Sequence, residues 1–531
     1  MNNWLVIVPP LLVVVTALYT RAMIFSFLLG IITSALIATH GHIGAALHLA
    51  FTRWWASTGL SGIIHPTTML SNWNLCIFVF LISVGTIITL LQNTGAAQAY
   101  SAFAQRYITN KRSTESASLI LAIIFCIDDY FCALTVGSVM RPLAHRHGIH
   151  PLKLAFLTTA MASPLALLMP LSSWIGEIML QLKLAGVNDD AHSIIYADPF
   201  YVLIKAIPFL FYPIIIIASA WYIVLRRISY GPLAQYEKNT HAVMTTTEHT
   251  QKKHSMFDFA LPILSLISSV MIGLLITGGY WFFGGANGFA QAIKNAQIQH
   301  TFFAAGIISV SISMMYFFVT KKQKLRDLIY ALYGGFLIMF PSIIMLIHAW
   351  TLGKLLTHDL QTGSYIASII AHIIHASLFP MICFISATII AWMIGSAWAT
   401  IGLMFPIAIP MIPHLMHVTD PNAHALFIAL LPVVGAVLSG SVLGTHYSFM
   451  SDTPLMSATS TGASHFEHVK TMAWYLLPIT LGVMSSYILI GMLPLAFHTH
   501  PFWLVWLISL GTGLLLSWGL LEMFNRVLKT S

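Results

Sequence analysis

Two adjacent carboxylates, Asp128 and Asp129, lie in the run from Ala117 to Val139, where nearly every neighbour is hydrocarbon. The stretch LILAIIFCI precedes them, and FCALTVG follows Tyr130. A carboxylate at bilayer depth costs about 2.5–3.5 kcal/mol on insertion scales unless something compensates for it. An acidic pair there points to a site for a cation or a proton. The plainer reading is a surface loop between two short helices, or an aspartate capping a helix end. Further along, Gly444–Thr453 sets Thr445, His446, Ser448, Ser451, Asp452 and Thr453 between apolar spans. Hydroxyl and carboxylate oxygens are the hard ligands that suit an alkali ion.

Chemistry of this kind needs elements that break at depth. Each half of the chain has two such interruptions. In the first half they are the acidic stretch and Met169–Glu177, with Ser172, Ser173 and Trp174. In the second half they are Gly395–Thr400, with Ser396 and Thr400, and Gly444–Thr453. Interrupted segments at corresponding places in two halves are the best sequence pointer to a transporter binding site. Unwound backbone is allowed at that depth only where it lines a cavity or is buried in protein. Each interruption also has a structural reading. Gly395–Thr400 reads equally as a small-residue helix contact. Ser172–Trp174 reads equally as a proline-kinked helix whose hydroxyls bond back to their own turn. Trp174 and Trp398 read as packing. Glu177 lies deeper than a loop residue should and is a candidate for lining the pathway, with a helix-end role as the alternative.

The composition sets the class. Of 531 residues, 58% are hydrophobic and only 8% charged, against about 25% charged in a soluble domain. Apolar runs near the ~20 residues a spanning helix needs recur from end to end. They are continuous, not alternating, so the expected fold is an all-α polytopic membrane protein and not a β-barrel. Spans are predicted at Trp4–Tyr19, Met23–Thr39, Leu75–Leu91, Leu154–Leu182 (broken by Pro164 and Pro170), Phe200–Leu225, Ala260–Phe283 and Phe302–Thr320. Others are predicted at Leu328–Leu352, Tyr365–Ile394, Ala397–Leu415, Ala425–Leu443, Trp474–Ala496 and Phe502–Phe524. Ile43–Gly59 is ambiguous, and the expectation is about eleven to thirteen spans in all. Gly95–Ala104 reads as amphipathic. The longest polar stretch, 228–256, divides the chain into transmembrane halves 1–227 and 257–531 and reads as a cytoplasmic linker. Its His241, His249 and His254 are more simply solvated residues than pH sensors.

The formal charge of +8 would mean nucleic acid in a soluble protein; here it reflects basic cytoplasmic loops facing a lipid bilayer. Basic residues follow Tyr107, Met140, Leu225 and Thr320, which the positive-inside rule assigns to the cytoplasm. No removable signal peptide is read at the start, because the basic n-region is missing. The four cysteines lie in apolar segments without metal spacing and read as small core residues.

At these residues the sequence resembles the NhaC family of sodium/proton antiporters. Asp128-Asp129-Tyr130-Phe131 with Leu134-Thr135-Val136-Gly137 and Arg141-Pro142-Leu143 resembles its first signature. Pro170–Trp174, Gly395–Trp398, Ser451-Asp452-Thr453, and His468 with Thr471 resemble the later ones. The resemblance implies two inverted repeats, each with a re-entrant hairpin and an unwound helix. The hairpin tips would be Asp128–Phe131 and Ser396–Thr400; the unwound segments would be Ser172–Trp174 and Ser448–Thr453. The chain departs from the family pattern at Thr445, Phe449, Thr159 and His145: members usually carry Asp at the first and Pro at the second, and often Asp at the other two.

The expected mechanism is alternating access around one site that holds sodium or protons, but not both. Asp129 is the main competing carboxylate, Asp452 the second and Asp128 a support. Ser172, Ser173, Ser396, Thr400, Ser448, Ser451 and Thr453 would supply neutral oxygens. His446 would relay protons or hold the unwound segment. Competition near neutral pH requires a carboxyl titrating about three units above its free value of ~3.9, worth ~4 kcal/mol; burial beside a second acid can supply that. No cofactor and no enzymatic activity are expected. The bilayer, small cations and protons are the expected partners, a homodimer is left open, and the expected location is a bacterial plasma (inner) membrane. The alternative is a sodium- and proton-coupled exchanger of organic acids such as malate and lactate. Such a carrier wants a cation or a positive helix end for the carboxylate, and no Lys or Arg lies mid-span near the breaks.

Overall fold

A helix satisfies its own backbone groups where no water can, so continuous apolar runs fold as helices. The computed structural model describes residues 4–20, 22–60, 72–95, 108–126, 128–170, 172, 174–190, 193–238, 255–281, 284–288, 292, 296–320, 323–370, 375–496 and 502–528. Ser173, the linker histidines His241, His249 and His254, and most of Gly95–Ala104 lie outside these residues.

The first part of the chain forms α1 (Val8–Thr20), α2 (Met23–Ala38), α3 (Ile43–Thr58), α4 (Trp73–Asn93), α5 (Lys111–Ile124), α6 (Asp129–Arg146), α7 (Pro151–Leu168) and α8 (Trp174–Leu184). After a two-residue parallel pair, β1 (Val187–Asn188) with β2 (Ile195–Tyr196), come α9 (Pro199–Ala206), α10 (Phe211–Arg226) and α11 (Gly231–Lys238). The rest forms α12 (Met256–Thr277), α13 (Ile298–Val319), α14 (Leu325–Lys354), α15 (Thr362–Ile370), α16 (Phe379–Ile394), α17 (Ala397–Met416), α18 (His424–Tyr447), α19 (Asp452–Thr461), α20 (His465–Ala496) and α21 (Phe502–Val527). Ten of the described helices are long and apolar enough to cross a membrane, or up to eleven with the bent pair Pro199–Phe209 and Phe211–Arg226. Two shorter apolar helices, Trp4–Thr16 and Ile24–Ala38, precede them. The chain is an all-α polytopic membrane protein.

Three predicted spans differ in detail. Pro164 does not break Leu154–Leu182; it sits inside α7, and the helix stops only after Leu168, in the stretch that holds Pro170. Phe200–Leu225 bends by 44°. Pro213 has no N–H for the carbonyl of Phe209, which accepts instead from the Tyr487 hydroxyl at 2.7 Å. Tyr365–Ile394 is two helices, α15 and α16, because Pro380 starts a new helix behind a 3₁₀ turn at Ala376–Leu378.

The helices fall into two compact units, and each unit takes segments from both sides of 228–256. One comprises 51–109 and 245–347. In it α13 packs on α4 and α12, with Phe80 stacked on Phe302 at 4.7 Å and a core of Leu90, Phe317, Leu328 and Ala331. The other comprises 1–50, 110–244 and 348–531, and it holds all four interruptions.

Part of the stretch read as linker is ordered within that second unit. On α11, Glu237 accepts from Lys111 Nζ at 2.9 Å and from the Ser229 hydroxyl. Burial opposes its ionisation, but Lys153 and Lys111 beside it outweigh burial and hold its carboxyl below the usual range. A carboxyl held low in the fold contributes stability above its ordinary value, and the contribution is lost as pH falls through the folded value. Glu237→Gln should therefore melt below the parent at neutral pH in detergent, and the gap should close only in acid, as pH falls below the ordinary glutamate value and through the lowered folded one. A gap that persists in acid would mean Glu237 acts by packing and not by charge.

Candidate functional site

Four helices begin at one point. They are α6 at Asp129, α8 at Trp174, α17 at Ala397 and α19 at Asp452. Short-range polar groups end the preceding helix or start the next in each case. The N–H of Cys132 bonds to the carbonyl of Asp128 at 2.9 Å, which makes Asp128 the residue that opens α6. The Ser172 hydroxyl accepts from the Trp174 N–H at 3.3 Å. Gly395 ends α16 in the left-handed region at φ +78°, where a Cβ would also meet Met450, and Ser396 then caps α17 by accepting from Ala399 N–H. The Ser448 hydroxyl accepts from Met450 N–H at 3.2 Å before α19 starts.

The second helix of each hairpin packs beside the outer half of the other repeat's broken helix. α6 lies on α19, where Ser460 Oγ donates to the carbonyl of Ala133 at 2.8 Å. α17 lies on α8, where Trp174 and Trp398 meet at 4.5 Å between ring centroids. This reciprocal exchange is the arrangement two inverted repeats give.

The helix starts enclose a cavity of about 20 Å³. A water needs roughly 10–15 Å³ of such space, so the cavity holds one particle of that size. Asp129, Tyr130, Trp174, Ser396, Ala397 and Trp398 line it from one set of starts, and Ser451, Asp452 and Thr453 from another, with Ser163, Gly395 and Thr445 completing it. No lysine or arginine is among these residues. Asp129 is 3% exposed. Its Oδ1 accepts from Trp174 Nε1 at 3.1 Å. Its Oδ2 lies 3.1 Å from both Ser163 Oγ and Thr453 Oγ1, which are 3.2 Å from each other. Asp452 is exposed, and its Oδ2 accepts from the Tyr130 hydroxyl at 3.4 Å. Each helix start carries about half a positive charge, and residues of all four line the cavity that holds the two carboxylates. A larger cavity of about 380 Å³ between α16, α17 and α18 is lined mostly by apolar groups such as Ile412, Leu415 and Val433 and holds no acid.

Of the residues read from sequence, the cavity gathers Asp129, Asp452, Ser396, Ser451 and Thr453. Asp128 is buried but outside its lining. Ser172 and Ser448 serve the backbone, as above, and the Thr400 hydroxyl bonds back to Ser396 O at 2.8 Å. His446 bonds through Nδ1 to the Tyr212 hydroxyl at 2.5 Å. Glu177 bonds to Gln181 and Trp350. Ser163, Tyr130, Trp174 and Thr445 were not assigned to the site from sequence. Ser163 precedes the proline taken as a break, and a hydroxyl beside a mid-helix proline was the available signal. Of the departures from the family pattern, Thr445 lines the cavity, Thr159 bonds to His468 Nε2 at 2.8 Å, and Phe449 and His145 are exposed.

The sequence model of the Na+/H+ antiporter family matches residues 165–492. An uncharacterized protein of Haemophilus influenzae is 28% identical over 491 residues, covering 91% of this chain and 90% of that one. Among solved structures, the Alcanivorax borkumensis YdaH transporter, of unusual topology, superposes with a TM-score of 0.49 at 14% identity over 82% of this chain and 88% of its own. The Neisseria gonorrhoeae MtrF protein, from a class of antimetabolite efflux pumps, gives 0.44 at 12% identity over 85% and 84%.

The contact of α6 with α19 sets the width of the cavity and is testable. A Cβ on Gly137 would stand 1.9 Å from Ser460 Oγ and 2.7 Å from Ser460 Cβ. Gly137→Val should lower stability by roughly 1–3 kcal/mol, the usual cost of overpacking, read as a lower melting temperature of the purified protein. A variant as stable as the parent would mean the two helices are not so closely apposed.

Proposed function

The chain belongs to the Na+/H+ antiporter family, and from that premise we propose that it exchanges sodium for protons at the cavity between the four helix starts. As a member it is a secondary transporter of the membrane. The observation that carries the finer reading is Asp129. It is a buried carboxylate held by one indole and two hydroxyls, in a space of one-particle size, with no basic side chain in the lining. A buried charge needs a partner, and a partner that is not part of the protein has to arrive from solution.

In this reading a bare cation enters past Asp452 and takes Asp129 as its charged ligand. Ser163 and Thr453 turn their hydroxyl oxygens to it, and Ser396 and Ser451 lie on the wall where further oxygens are needed. When the cation leaves, a proton on Asp129 restores neutrality, and the hydroxyls return to the carboxyl. The site is never empty of positive charge during the passage, which is what couples the two flows. Ser172, Thr400 and Ser448 keep the breaks in shape, and His446 holds the end of α18 against Tyr212. The proposed location is the bacterial inner membrane, with Arg141, Arg146, Arg226 and Arg227 on its cytoplasmic side.

An organic-acid carrier would use the positive helix starts for its substrate carboxylate. Here those starts already face Asp129 and Asp452, and about 20 Å³ does not admit a dicarboxylate. In everted vesicles carrying the chain, added sodium should dissipate an imposed pH gradient without malate or lactate. Asp129→Asn should slow this flux by roughly a hundredfold, the effect of losing about 3 kcal/mol from a charged ligand, and Asp452→Asn should slow it less. Full flux in both variants would remove the site assignment. Flux that requires malate or lactate would replace sodium/proton exchange with the carrier.

A further inference from the structure

Glu177 is a second buried acid, and it lies outside the cavity. It sits in the first turn of α8 and is 1% exposed. Its Oε1 accepts from Gln181 Nε2 at 2.8 Å and its Oε2 from Trp350 Nε1 at 2.9 Å. The elements packed on α8 are α7, α9, α17 and β1, with Trp350 reaching in from α14. Their ionisable groups are Lys153 on α7, Tyr201 and Lys205 on α9, His414 on α17, and His348 and Lys354 on the last turns of α14, with Lys183 on α8 itself. None of these forms an ion pair with Glu177 among the described residues. Lys153 and His414 lie at distant helix ends, and His348 is about 200° round α14 from Trp350.

A carboxylate in that setting carries the full cost of an uncompensated buried charge, and the neutral acid does not. The neighbour suits an acid that changes state. Gln181 is itself fully buried, and its Oε1 has no partner. An amide presents a donor on one side and an acceptor on the other. With Nε2 turned in it serves the carboxylate; rotated, its Oε1 accepts the O–H of the acid. The same side chain therefore serves both charge states.

The acid is also tied to the cavity. Three residues before it, Trp174 holds Asp129. On the other side α17, which starts at the cavity, meets Gln181 through Gly402. A Cβ there would lie 3.2 Å from Gln181 Nε2 and 2.9 Å from the Ala349 Cβ. A shift of α8 that follows a change at Asp129 would separate Glu177 from Trp350, which belongs to another helix, while Gln181 travels with it.

Resting on the exchange reading above, we propose that Glu177 is a second proton-carrying site, outside the cation cavity, that exchanges one additional proton per transport cycle. The proton is held as the O–H of Glu177 in the arrangement described. It passes to water on the side to which α8 opens and is regained from the other side. Only that O–H bond breaks and re-forms, and no other reactant is needed.

The test uses the purified full-length protein in proteoliposomes, with sodium-driven proton flux measured against an imposed membrane potential. Glu177→Gln should still exchange sodium for protons, but with one fewer positive charge countermoved per sodium. Infrared difference spectra across pH should lose one buried carboxylic C=O band in Glu177→Gln and keep that band in Asp129→Asn. Trp350→Phe removes a donor that favours the carboxylate, so it should move the pH at which that band disappears upward. This arm holds even if Glu177→Gln does not fold. An unchanged charge per sodium together with an unaltered band would overturn the proposal. Loss of the band in Glu177→Gln with exchange persisting in Asp129→Asn would instead leave Glu177 standing as a proton site and remove Asp129 from the exchange reading.

Discussion

The structure depends on one electrostatic constraint: the carboxylate of Asp129 must be kept buried, with Asp452 near it, in a cavity whose lining has no lysine or arginine among the described residues. The chain meets it with backbone. Four helices start around Asp129 and Asp452, and each contributes a fractional positive charge from its unpaired N–H groups. That requires four helix breaks in one place, which in turn requires two hairpins and two interrupted helices. Ser172, Ser396 and Ser448 make the breaks tolerable by occupying backbone donors that would otherwise lie unpaired in the interior. The pairing of α6 with α19 and of α17 with α8 then fixes the starts relative to one another.

A lysine or arginine in place of the helix starts would have served stability and defeated exchange. A full charge at hydrogen-bond distance from Asp129 would neutralise it in every state and would occupy the position a travelling ion needs. A helix start contributes less, and it fills no coordination position. The remaining ligands divide by what they can do. The Trp174 indole can only donate, so it stays with Asp129 Oδ1 whether the site is charged or neutral. Ser163 and Thr453 have hydroxyls that donate or accept, so they can bond to the carboxylate and turn oxygen lone pairs to a cation.

Much of this was legible in the sequence because acids in hydrocarbon stand out. Asp129 and Asp452 were found from composition alone, and the structure puts them on one cavity although they are far apart in the chain. The four breaks were found for the same reason: small and polar residues interrupt runs that have no other cause to stop. What did not show was direction. Ser172, Ser448 and Thr400 carry the right atoms, but their hydroxyls satisfy the nearby backbone, a local bond that one-dimensional spacing cannot separate from a ligand. Ser163 and Trp174 failed to show for the opposite reason. Each looks like ordinary membrane-helix content, and only the folding of α7 and α8 around α6 turns it toward Asp129. Proline misled at Pro164, where the helix continues, and was passed over at Pro380, where a new helix begins inside the predicted span Tyr365–Ile394.

The position of the open side has a consequence for how such a site can work. Asp452 is exposed while Asp129 is buried, so in this arrangement solvent reaches the second acid and not the first. In the exchange reading, an ion arriving from that side meets Asp452 before it reaches Asp129, Ser163 and Thr453. Tyr130, bonded to Asp452, lines the same cavity as both acids. In the exchange reading the ion leaves only when contacts around the cavity open, and the contact of Trp174 with Trp398 is one of them. Trp174 is also the donor to Asp129 Oδ1. In that reading a change of charge on Asp129 reaches Trp174 through this bond, which is stronger to an ionised carboxylate than to a neutral one. Occupancy of the proposed site and the contact of Trp174 with Trp398 would then be joined in a single side chain, the link an exchanger needs if it is to move only when loaded.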